Sequence, residues 1–523
     1  MIILSKVEFK QLSPADFFYR NRELAGFDTP AKSLYTAFRE IIENSLDGAE
    51  IGGINPDIFV SIKKRTEDVY TIFISDNGIG IPGNKVPNAL AKLLFGGKYV
   101  ERQSRGHFGL GASMTVLYSQ ITTNLPTRVI SCTKGSKVID EYHLMIDIQR
   151  NEPIIRFHQE LPNKKDWHGV AVEVNIEGDY GRAHAKILDY IKSTALVAPY
   201  ATINFIDAYG VLYRFEKGIE QVPKLGEAVL PHPYGIDTEK MLRLLRVAKQ
   251  KTLKKFLQTN FQRIGEKTAE SFLESVQIKA EKDPAKLDHD DIVKIVQGMN
   301  NYEGFLAPET KCLSPIGEDV LSAGIEKELE PDFFANITRK PQAYSGHPFV
   351  VEVAMAYGGP KLELTSEPIL FRYANRIPLL YDQYADVSAK VIRSFNWRMY
   401  KVPDNNKLAI ITHIASTKVP YRTAGKESIA DRVEIEREMR LAMQVCARKL
   451  RVYLSRVERE ERTAKRTTIF EKYMPHIAKF ATKLSGQKTI PSVAFVGRGR
   501  TEDEMFDEEE SIPVVKNNED EEE

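Results

Sequence analysis

Two periodicities of apolar residues predict the first structural elements of the chain. Across residues 31–50, apolar side chains recur every three or four positions, which predicts one amphipathic helix. Residues 71–75 are β-prone and run into Asp76-Asn77-Gly78, which predicts a strand that ends in a turn. A second apolar helix is predicted after the glycine-rich segment 105–113, ending near Gln120. The N-terminal part of the chain is therefore expected to mix α-helices and β-strands.

The pattern changes twice further along the chain. Residues 233–303 lose their β signals and become helical and basic, with two helices predicted around a tight turn at Gly265. A mixed α/β segment resumes over residues 313–417, with strands predicted at Phe349 and Leu408. A long, charged, amphipathic helix is predicted over residues 429–473. The chain is thus expected to hold about three domains.

The helix predicted over residues 31–50 has a distinct polar side. At about 100° per residue, Glu40, Asn44 and Asp47 fall within roughly a 60° arc opposite the apolar face. Two carboxylates and a carboxamide would then face one space from a single rigid element. On an arbitrary helix, such a polar side is usually a solvated surface. Its position just before two further motifs favours a site instead.

Three short motifs follow one another closely. Each alone is weak evidence for a site; a GxxGxG pattern, for example, occurs by chance in roughly one chain in ten of this glycine content. They are Glu40-x-x-Glu43-Asn44-x-x-Asp47, Asp76-Asn77-Gly78-Ile79-Gly80 and Gly106-x-x-Gly109-x-Gly111. In this order and spacing they resemble the Bergerat ATP-binding fold of type II topoisomerase ATPases, a heat-shock chaperone family, mismatch-repair ATPases and sensor histidine kinases. The resemblance implies an α/β sandwich that binds ATP with Mg²⁺.

The helix residues then have expected roles in phosphoryl transfer, where catalysis is mostly positioning and charge stabilisation. Glu40 is expected to polarise the attacking water as general base. Asn44 offers a neutral oxygen ligand to Mg²⁺, which suits a hard cation already bound to phosphate oxygens. Asp47 has two open alternatives, holding water near the nucleotide or supporting the helix.

The second motif is expected to bind the adenine base. Asp76 can accept a hydrogen bond from the adenine amino group, while Gly78 and Gly80 let the backbone approach the base. The same glycines also fit a dinucleotide-binding pattern with Gly83. That pattern requires glycines directly at the strand end, but here Asp76 and Asn77 intervene. The dinucleotide alternative is therefore disfavoured.

The third motif predicts a phosphate-binding loop at a helix N-terminus, where backbone amides and the helix dipole favour anions. Its expected ATP contacts are Gly106, His107, Phe108, Gly109, Leu110, Gly111, Ala112 and Ser113. The lysine that a P-loop requires is missing, which argues against Walker-type chemistry. Gly97 and Lys98 are predicted to belong to a lid over the nucleotide, although a loop lysine is often only solvated.

Charge distribution adds a candidate partner. The 523-residue chain has a formal net charge of +1, with 73 basic and 72 acidic residues. Residues 502–523 contain twelve acids and one Lys, so the remainder has 72 basic and 60 acidic residues, about +12. A basic chain outside the tail suits a polyanionic partner. The alternative is a mildly basic enzyme whose acidic tail only increases solubility. Three scattered cysteines and the lack of a long apolar run predict a cytoplasmic protein without a zinc site.

A closer resemblance covers roughly residues 8–485. The segments that resemble the topoisomerase VI B-subunit family begin at Leu12, Arg39, Ser104, His232, Ile337, Arg372 (Arg-Tyr-Ala-Asn-Arg) and Ala424. The resemblance implies an α+β multidomain protein: a Bergerat-type ATPase domain, a helix-two-turn-helix insert, and an α/β transducer domain ending in a long C-terminal helix. The expected bounds are 1–230, 231–307, 308–485 and, for an acidic tail, 486–523.

The resemblance also implies further site residues. Transducer domains of this superfamily send a loop lysine to the γ-phosphate, which assigns Lys426 a catalytic role; surface decoration is the alternative. The family's Trp-Lys-x-Tyr DNA-contact motif corresponds here to Trp397, Arg398 and Tyr400, with a changed donor geometry. Ser113 stands where the family commonly has Lys, so one phosphate contact differs.

The function implied is that of the ATPase subunit of a type IIB topoisomerase. Its implied partners are double-stranded DNA, a second copy joined upon ATP binding, and an A subunit that cleaves DNA within an A₂B₂ heterotetramer. A chaperone-like or mismatch-repair-like ATPase clamp is the alternative, because it shares the nucleotide-binding fold. The basic helical insert and the aromatic motif at Trp397 favour the topoisomerase.

Overall fold

The structure is a computed structural model that describes residues 12–96, 101–106, 109–422 and 426–486. Four expected ATP contacts, Gly97, Lys98, His107 and Phe108, lie outside the described residues, as does nearly all of the acidic tail. The chain divides into two units, Met1–Val452 and Tyr453–Glu523. The sequence-based domain bounds remain predictions. None of the described helices combines the length and apolar character needed to cross a lipid bilayer.

The N-terminal region is built on an eight-stranded sheet of order β5-β4-β3-β6-β2-β1-β7-β8, in which only the pairing of β1 with β7 is parallel. The strands are β1 Asp57–Lys64, β2 Val69–Ser75, β3 Thr127–Cys132, β4 Val138–Asp147, β5 Glu152–Pro162, β6 Gly169–Glu177, β7 Thr202–Ile206 and β8 Leu212–Phe215. Buried side chains alternate along β2, as the sequence pattern predicts for a strand with one face on a core.

Five helices accompany this sheet: α1 Pro14–Arg20, α2 Pro30–Ile51, α3 Val86–Ala91, α4 Gly111–Thr123 and α5 Tyr180–Val197. The bounds of α2 confirm the predicted helix to within a residue at each end. Thr29 caps its N-terminus by accepting from the Lys32 amide, Pro30 is the first helical residue, and Gly52 follows the last. The apolar side of α2 packs with α4, α5 and the sheet in one continuous core.

A compact helical region follows, with its own apolar core. Its helices are α6 Thr238–Arg246, α7 Leu253–Asn260, α8 Glu266–Ser275 and α9 His289–Asn301. The predicted turn between α7 and α8 is confirmed, but its turn residues are Gln262 and Arg263, and Gly265 is the extended residue that precedes α8. Four hydrophobic side chains at the centre, Phe256, Phe261, Phe272 and Leu273, are almost completely buried.

The second sheet has the order β10-β11-β14-β12-β13, and β9 also pairs with β11. Its elements are α10 Glu318–Leu329, β9 Phe333–Thr338, β10 Gln342–Tyr344, β11 His347–Tyr357, β12 Ile369–Ala374, β13 Ile377–Pro378, α11 Val387–Arg393 and β14 Leu408–Ser416. The central strands β11 and β14 are buried along nearly their whole length, as their continuous apolar runs indicate.

The last helix, α12, spans Val433–Ser485 rather than the predicted 429–473. Its start is later because Ile429 forms an isolated β-bridge with Tyr421 and its amide donates to Asp386 Oδ2 at 2.8 Å. These contacts hold the backbone extended just before the helix. Its end is also later. The helix continues through Pro475 to Ser485, although proline usually interrupts helices.

Candidate functional site

A cavity of about 540 Å³ opens where α2, the end of β2 and the start of α4 meet. The predicted site residues that line it are Glu40, Asn44, Asp47, Asp76, Gly80, Gly106, Gly109, Leu110, Gly111, Ala112, Ser113 and Lys426. Residues far apart in the chain are therefore brought to one space. Gly78 does not line the cavity. It lies behind Asp76, where a Cβ atom would stand 2.9 Å from the Gly48 carbonyl carbon of α2.

Glu40 is held by the residue beside it on α2. Arg39 Nη2 donates to Glu40 Oε1 at 2.6 Å, and Arg39 is almost completely buried. A charge-assisted bond of this length fixes the carboxylate orientation. Asn44, one turn further, is exposed at the cavity wall. Its amide oxygen suits a hard cation, so this face of α2 fits the Mg²⁺ that the fold implies.

Asp76 directly follows β2 and is fixed by backbone groups. Its Oδ1 accepts from the amides of Gly78 at 2.9 Å and Val170 at 3.1 Å. Burial raises the pKa of Asp76, and the hydrogen bonds from Gly78, Ser45 and Val170 oppose that rise. The result is a buried acceptor with one defined orientation in the cavity wall.

The start of α4 faces Glu40 directly. A Cβ atom on Gly111 would stand 1.8 Å from Glu40 Oε2, so only glycine permits this approach. No side chain caps the helix at Leu110, which leaves the first amides of α4 for an anion. The Ser113 hydroxyl donates to the carbonyl of Leu110 at 3.1 Å. Ser113 therefore interacts with the backbone at the start of its own helix.

Lys426 reaches this region from the loop after β14. It is almost completely buried, lines the cavity, and its Nζ donates to the Arg105 carbonyl at 3.1 Å. The adjacent Glu427 pairs with Lys32 near the start of α2 at 2.7 Å. The second sheet thus sends a lysine into the cavity of the first, and the surface alternative for Lys426 is wrong.

Asp47 lines the cavity but is also part of a buried ion-pair cluster. Arg105 Nη1 donates to Asp47 Oδ1 at 2.7 Å, and the same guanidinium makes two bonds to Glu50, at 2.7 and 2.8 Å. Two roles are open for Asp47, and its ion pair with Arg105 supports the structural one. Its contact with water near a nucleotide remains a prediction.

Sequence reasoning missed Glu43 and the role of Arg39. Glu43 is buried, and its Oε1 lies 3.4 Å from Arg39 Nε. Burial and the charge of Glu40 raise the pKa of Glu43 to about 7, against the attraction of Lys426, Arg39 and Arg105. The motif contained Glu43, but no periodicity distinguishes a buried carboxylate from its exposed neighbours.

The residues predicted to contact DNA lie away from the cavity lining. Trp397–Tyr400 forms one turn of 3₁₀-helix, with Trp397 and Tyr400 packed on Phe395 at ring-centroid distances of 4.6 and 5.2 Å. Arg398 is exposed and pairs with Asp404 at 3.3 Å. The exposed basic residues of the helical region include Arg243, Arg246, Lys249, Lys251, Lys255 and Arg263.

One group of metal-ligand side chains occurs elsewhere in the described ranges. Asp140, His158 and Glu160 on the β4–β5 hairpin bring their ligand atoms within 4.8 Å of one another. Glu160 is exposed, and Asp140 and Glu160 are register partners on adjacent strands. The sequence did not indicate this group, because register decides which residues of two strands meet.

Comparison with known proteins identifies similar families and relatives. Residues 29–142 match the family described as histidine kinase-, DNA gyrase B- and HSP90-like ATPase, and residues 308–466 match the family described as topoisomerase VI B subunit, transducer. The chain is 42% identical over 494 residues to the B subunit of type 2 DNA topoisomerase 6 from Saccharolobus islandicus strain L.S.2.15 / Lassen #1, covering 93% of each chain.

A second relative, the B subunit of type 2 DNA topoisomerase 6 from Saccharolobus solfataricus, is 42% identical over 479 residues, covering 91% of this chain and 90% of the relative. Among solved structures, the 43K ATPase domain of Thermus thermophilus gyrase B in complex with an aminocoumarin aligns with 90% of this chain and 98% of its own. Its identity is 14% and its TM-score is 0.40.

Proposed function

The chain belongs to the family of type 2 DNA topoisomerase 6 B subunits, and from this premise we propose how its residues perform the ATP-driven function of such a subunit. The main observation is the cavity in which the Glu40 carboxylate, the start of α4 and Lys426 meet. This arrangement supports a site in which nucleotide contacts both the ATPase region and the loop after β14. The chaperone-like and mismatch-repair-like alternatives are set aside by the family assignment.

The adenine base is recognised by Asp76, whose carboxylate is oriented by two backbone amides. The triphosphate binds the amides at the start of α4 and the glycine-rich loop. Asn44 supplies an oxygen ligand to Mg²⁺, which neutralises phosphate charge when bound. Each role uses the chemistry of a side chain or amide that lines the cavity.

Hydrolysis is assigned to Glu40 and Lys426. Glu40 accepts a proton from the attacking water, and Arg39 keeps its carboxylate oriented for that purpose. Lys426 keeps its bond to the Arg105 carbonyl and donates to the γ-phosphate with another of its three N–H groups, and this second bond is stronger because the phosphate is charged. Hydrolysis thereby requires the loop after β14 to be in place.

ATP binding joins two copies of the chain through their N-terminal regions, and the closed dimer captures a DNA duplex. Sedimentation with a non-hydrolysable ATP analogue tests this step. The analogue should convert monomers to dimers, and ADP should not. A chain that stays monomeric with saturating analogue would contradict ATP-driven closure.

Double-stranded DNA is bound by the exposed basic residues of α6–α8 and by Arg398. The A subunit, which contains the cleavage chemistry, binds the C-terminal part of α12 to give an A₂B₂ assembly in the cytoplasm. Exposed Ile469, Tyr473, Ile477, Phe480 and Leu484 support this assignment, because spacings of three and four residues put them on one side of the helix.

Stimulation of ATP hydrolysis tests the proposal as a whole. Duplex DNA together with the A subunit should increase the hydrolysis rate severalfold, whereas an unfolded client protein should not. The opposite result would favour a clamp that acts on protein.

A further inference from the structure

Gln103 and Ser104, which immediately precede the glycine-rich segment 105–113, are bound by polar contacts to the region of the second sheet. Gln103 Nε2 donates to the Ser314 carbonyl at 2.8 Å, and the Ser314 amide donates back to Gln103 Oε1 at 2.6 Å. Asn375 Nδ2 donates to the Ser104 carbonyl at 3.0 Å. The path of the chain into the nucleotide cavity is therefore set partly by residues outside the ATPase region.

One of these contacts, the bond from Asn375 to Ser104, comes from the turn Asn375-Arg376, which connects β12 to β13. Ala374 pairs with Ile377, so Asn375 and Arg376 alone form the turn between the two strands. Both adopt left-handed backbone angles, with φ of 48° and 67°, a conformation that an arginine rarely adopts. The Arg376 amide donates to His413 Nε2 at 3.0 Å, and Nδ1 of His413 lies 2.7 Å from Glu352. The fully buried pair of His413 and Glu352 thus holds the turn in place.

The Arg376 side chain extends from this turn to α2. Its Nη1 donates to Glu50 Oε2 at 2.9 Å, and its Nη2 donates to the Ser314 carbonyl at 2.8 Å. Glu50 is also bound twice by Arg105 and once by the Tyr200 hydroxyl, at 2.6 Å. Arg376 and Arg105 together therefore neutralise Glu50, at the end of the helix that contains Glu40.

Arg105 connects this cluster to the cavity through both its side chain and its backbone. Its guanidinium binds Asp47 as well as Glu50, and its carbonyl accepts from Lys426. The cluster contains two arginines, Arg105 and Arg376, and two carboxylates, Asp47 and Glu50. Without Arg376, Asp47 and Glu50 would compete for the single guanidinium of Arg105. The Arg105 backbone, and Gly106 after it, would then shift relative to α2.

We infer that Arg376 is a positioning residue for ATP hydrolysis: through Glu50 it fixes Arg105, and Arg105 in turn places the glycine-rich loop and Lys426. The inference rests on the proposed roles of Glu40 and Lys426. It assigns a role to the Arg-Tyr-Ala-Asn-Arg segment, which makes no contact with the cavity itself. The second sheet is therefore linked to the nucleotide site in two ways, directly through the Lys426 loop and indirectly through the Asn375-Arg376 turn.

Arg376→Lys tests the inference, because lysine keeps the charge but cannot bridge Glu50 and Ser314 with one planar group. At saturating ATP, kcat should fall about 10-fold, while affinity for a non-hydrolysable analogue should stay within about 3-fold. Arg339→Lys is the matched control. Arg339 directly follows β9 of the same sheet and donates to Glu438 Oε2 at 2.8 Å, but it makes no described contact with Arg105 or Glu50. Its kcat should stay within about 2-fold of wild type.

A double-mutant cycle with Lys426→Ala separates positioning from a general loss of stability. If Arg376 and Lys426 act through the same residue, the double variant should hydrolyse ATP no more slowly than the slower single variant. Wild-type kcat in Arg376→Lys, or losses that multiply in the double variant, would overturn the inference. If Lys426→Ala alone has no effect, the proposed catalytic role of Lys426 is wrong. The kcat of Arg376→Lys then tests the positioning role of Arg376 by itself. Glu40→Gln with wild-type hydrolysis would refute the proposed base independently.

Discussion

At the scale of single residues, the proposed general base, Glu40, is held by a neighbour on its own helix. Arg39 fixes one oxygen of Glu40 at 2.6 Å, and the other oxygen faces the start of α4. Glu40→Ala should therefore lower kcat for ATP hydrolysis by about 10²-fold or more with ATP binding largely intact, the usual scale for losing a general base. Single-turnover assays with a separate binding titration measure this. Glu67→Ala, an exposed carboxylate between β1 and β2, is the control. Near wild-type hydrolysis by Glu40→Ala would show that the base lies elsewhere.

Adenine recognition is proposed to depend on a single acceptor, the carboxylate of Asp76. Because two backbone amides fix Oδ1 of Asp76, Asp76→Asn should keep its oxygen there and turn its amide nitrogen towards the cavity. A donor facing the adenine amino group weakens binding, so ATP affinity should fall by about 10-fold or more. Calorimetric titration gives the affinity, and circular dichroism checks that the fold is retained. Unchanged affinity in a folded variant would exclude this role.

Several residues that line the cavity could be predicted, but their ion-pair partners could not. Glu40, Asn44 and Asp76 could be identified because helix periodicity and motif spacing are local properties of the sequence. The partner of Arg105 is Glu50, which is 55 residues away, and Arg376 is 326 residues from Glu50. Such pairs form only after the chain has folded, and many arginines and carboxylates compete for each position.

At the scale of elements, apolar periodicity predicted α2, β2, β11 and β14 because each has one buried face or is buried throughout. The ends of α12 were predicted less well. A long-range contact with Asp386 holds Ile429 extended, and local propensity contains no information about that contact. The parallel pairing of β12 with β14 is likewise a consequence of topology that no local pattern indicates.

The basic helices offer an electrostatic test with a built-in control. Lys255 is exposed, whereas its neighbour Lys254 already binds Glu266 and Glu270, each at 2.9 Å. Lys255→Gln, combined with Arg246→Gln and Arg398→Gln, should weaken duplex binding and reduce the slope of log K against log salt by roughly 1 per lost contact. Lys254→Gln should change the slope less, because its charge is already neutralised. A salt slope identical to wild type in the triple variant would put the duplex on another surface.

The C-terminal part of α12 gives a prediction about the A subunit. Ile477 and Phe480 are exposed apolar residues on one side of the helix, and Lys479 points to another side. Ile477→Glu with Phe480→Glu should abolish co-purification of the A subunit without altering ATP hydrolysis by the isolated chain. Lys479→Glu should leave co-purification unchanged. Retained binding in the double variant would mean that the partner uses a different surface.

At the scale of the whole molecule, ATP hydrolysis and DNA cleavage are expected to reside on different chains. Cleavage needs an accessible tyrosine beside clustered metal ligands, in order to form and reverse a phosphotyrosyl bond. In the described ranges, the one such cluster is Asp140, His158 and Glu160, and the ring of Tyr142 stacks on His158 at 4.1 Å. Tyr142 is 5% exposed, and burial raises the pKa of its hydroxyl, so it is a poor nucleophile for a duplex.

The isolated chain should therefore hydrolyse Mg²⁺-ATP slowly. It should leave supercoiled plasmid intact with or without Mg²⁺. Together with its A subunit and Mg²⁺-ATP it should relax the plasmid, because strand passage is proposed to require both the ATP-driven closure of this chain and the cleavage centre of the partner. Gel assays of plasmid topology measure both outcomes, and denaturation before electrophoresis reveals any covalent link between protein and DNA. Tyr142→Phe should relax plasmid like wild type in the assembled enzyme. Covalent attachment of DNA to this chain alone, lost in Tyr142→Phe, would overturn the division of chemistry between the two subunits.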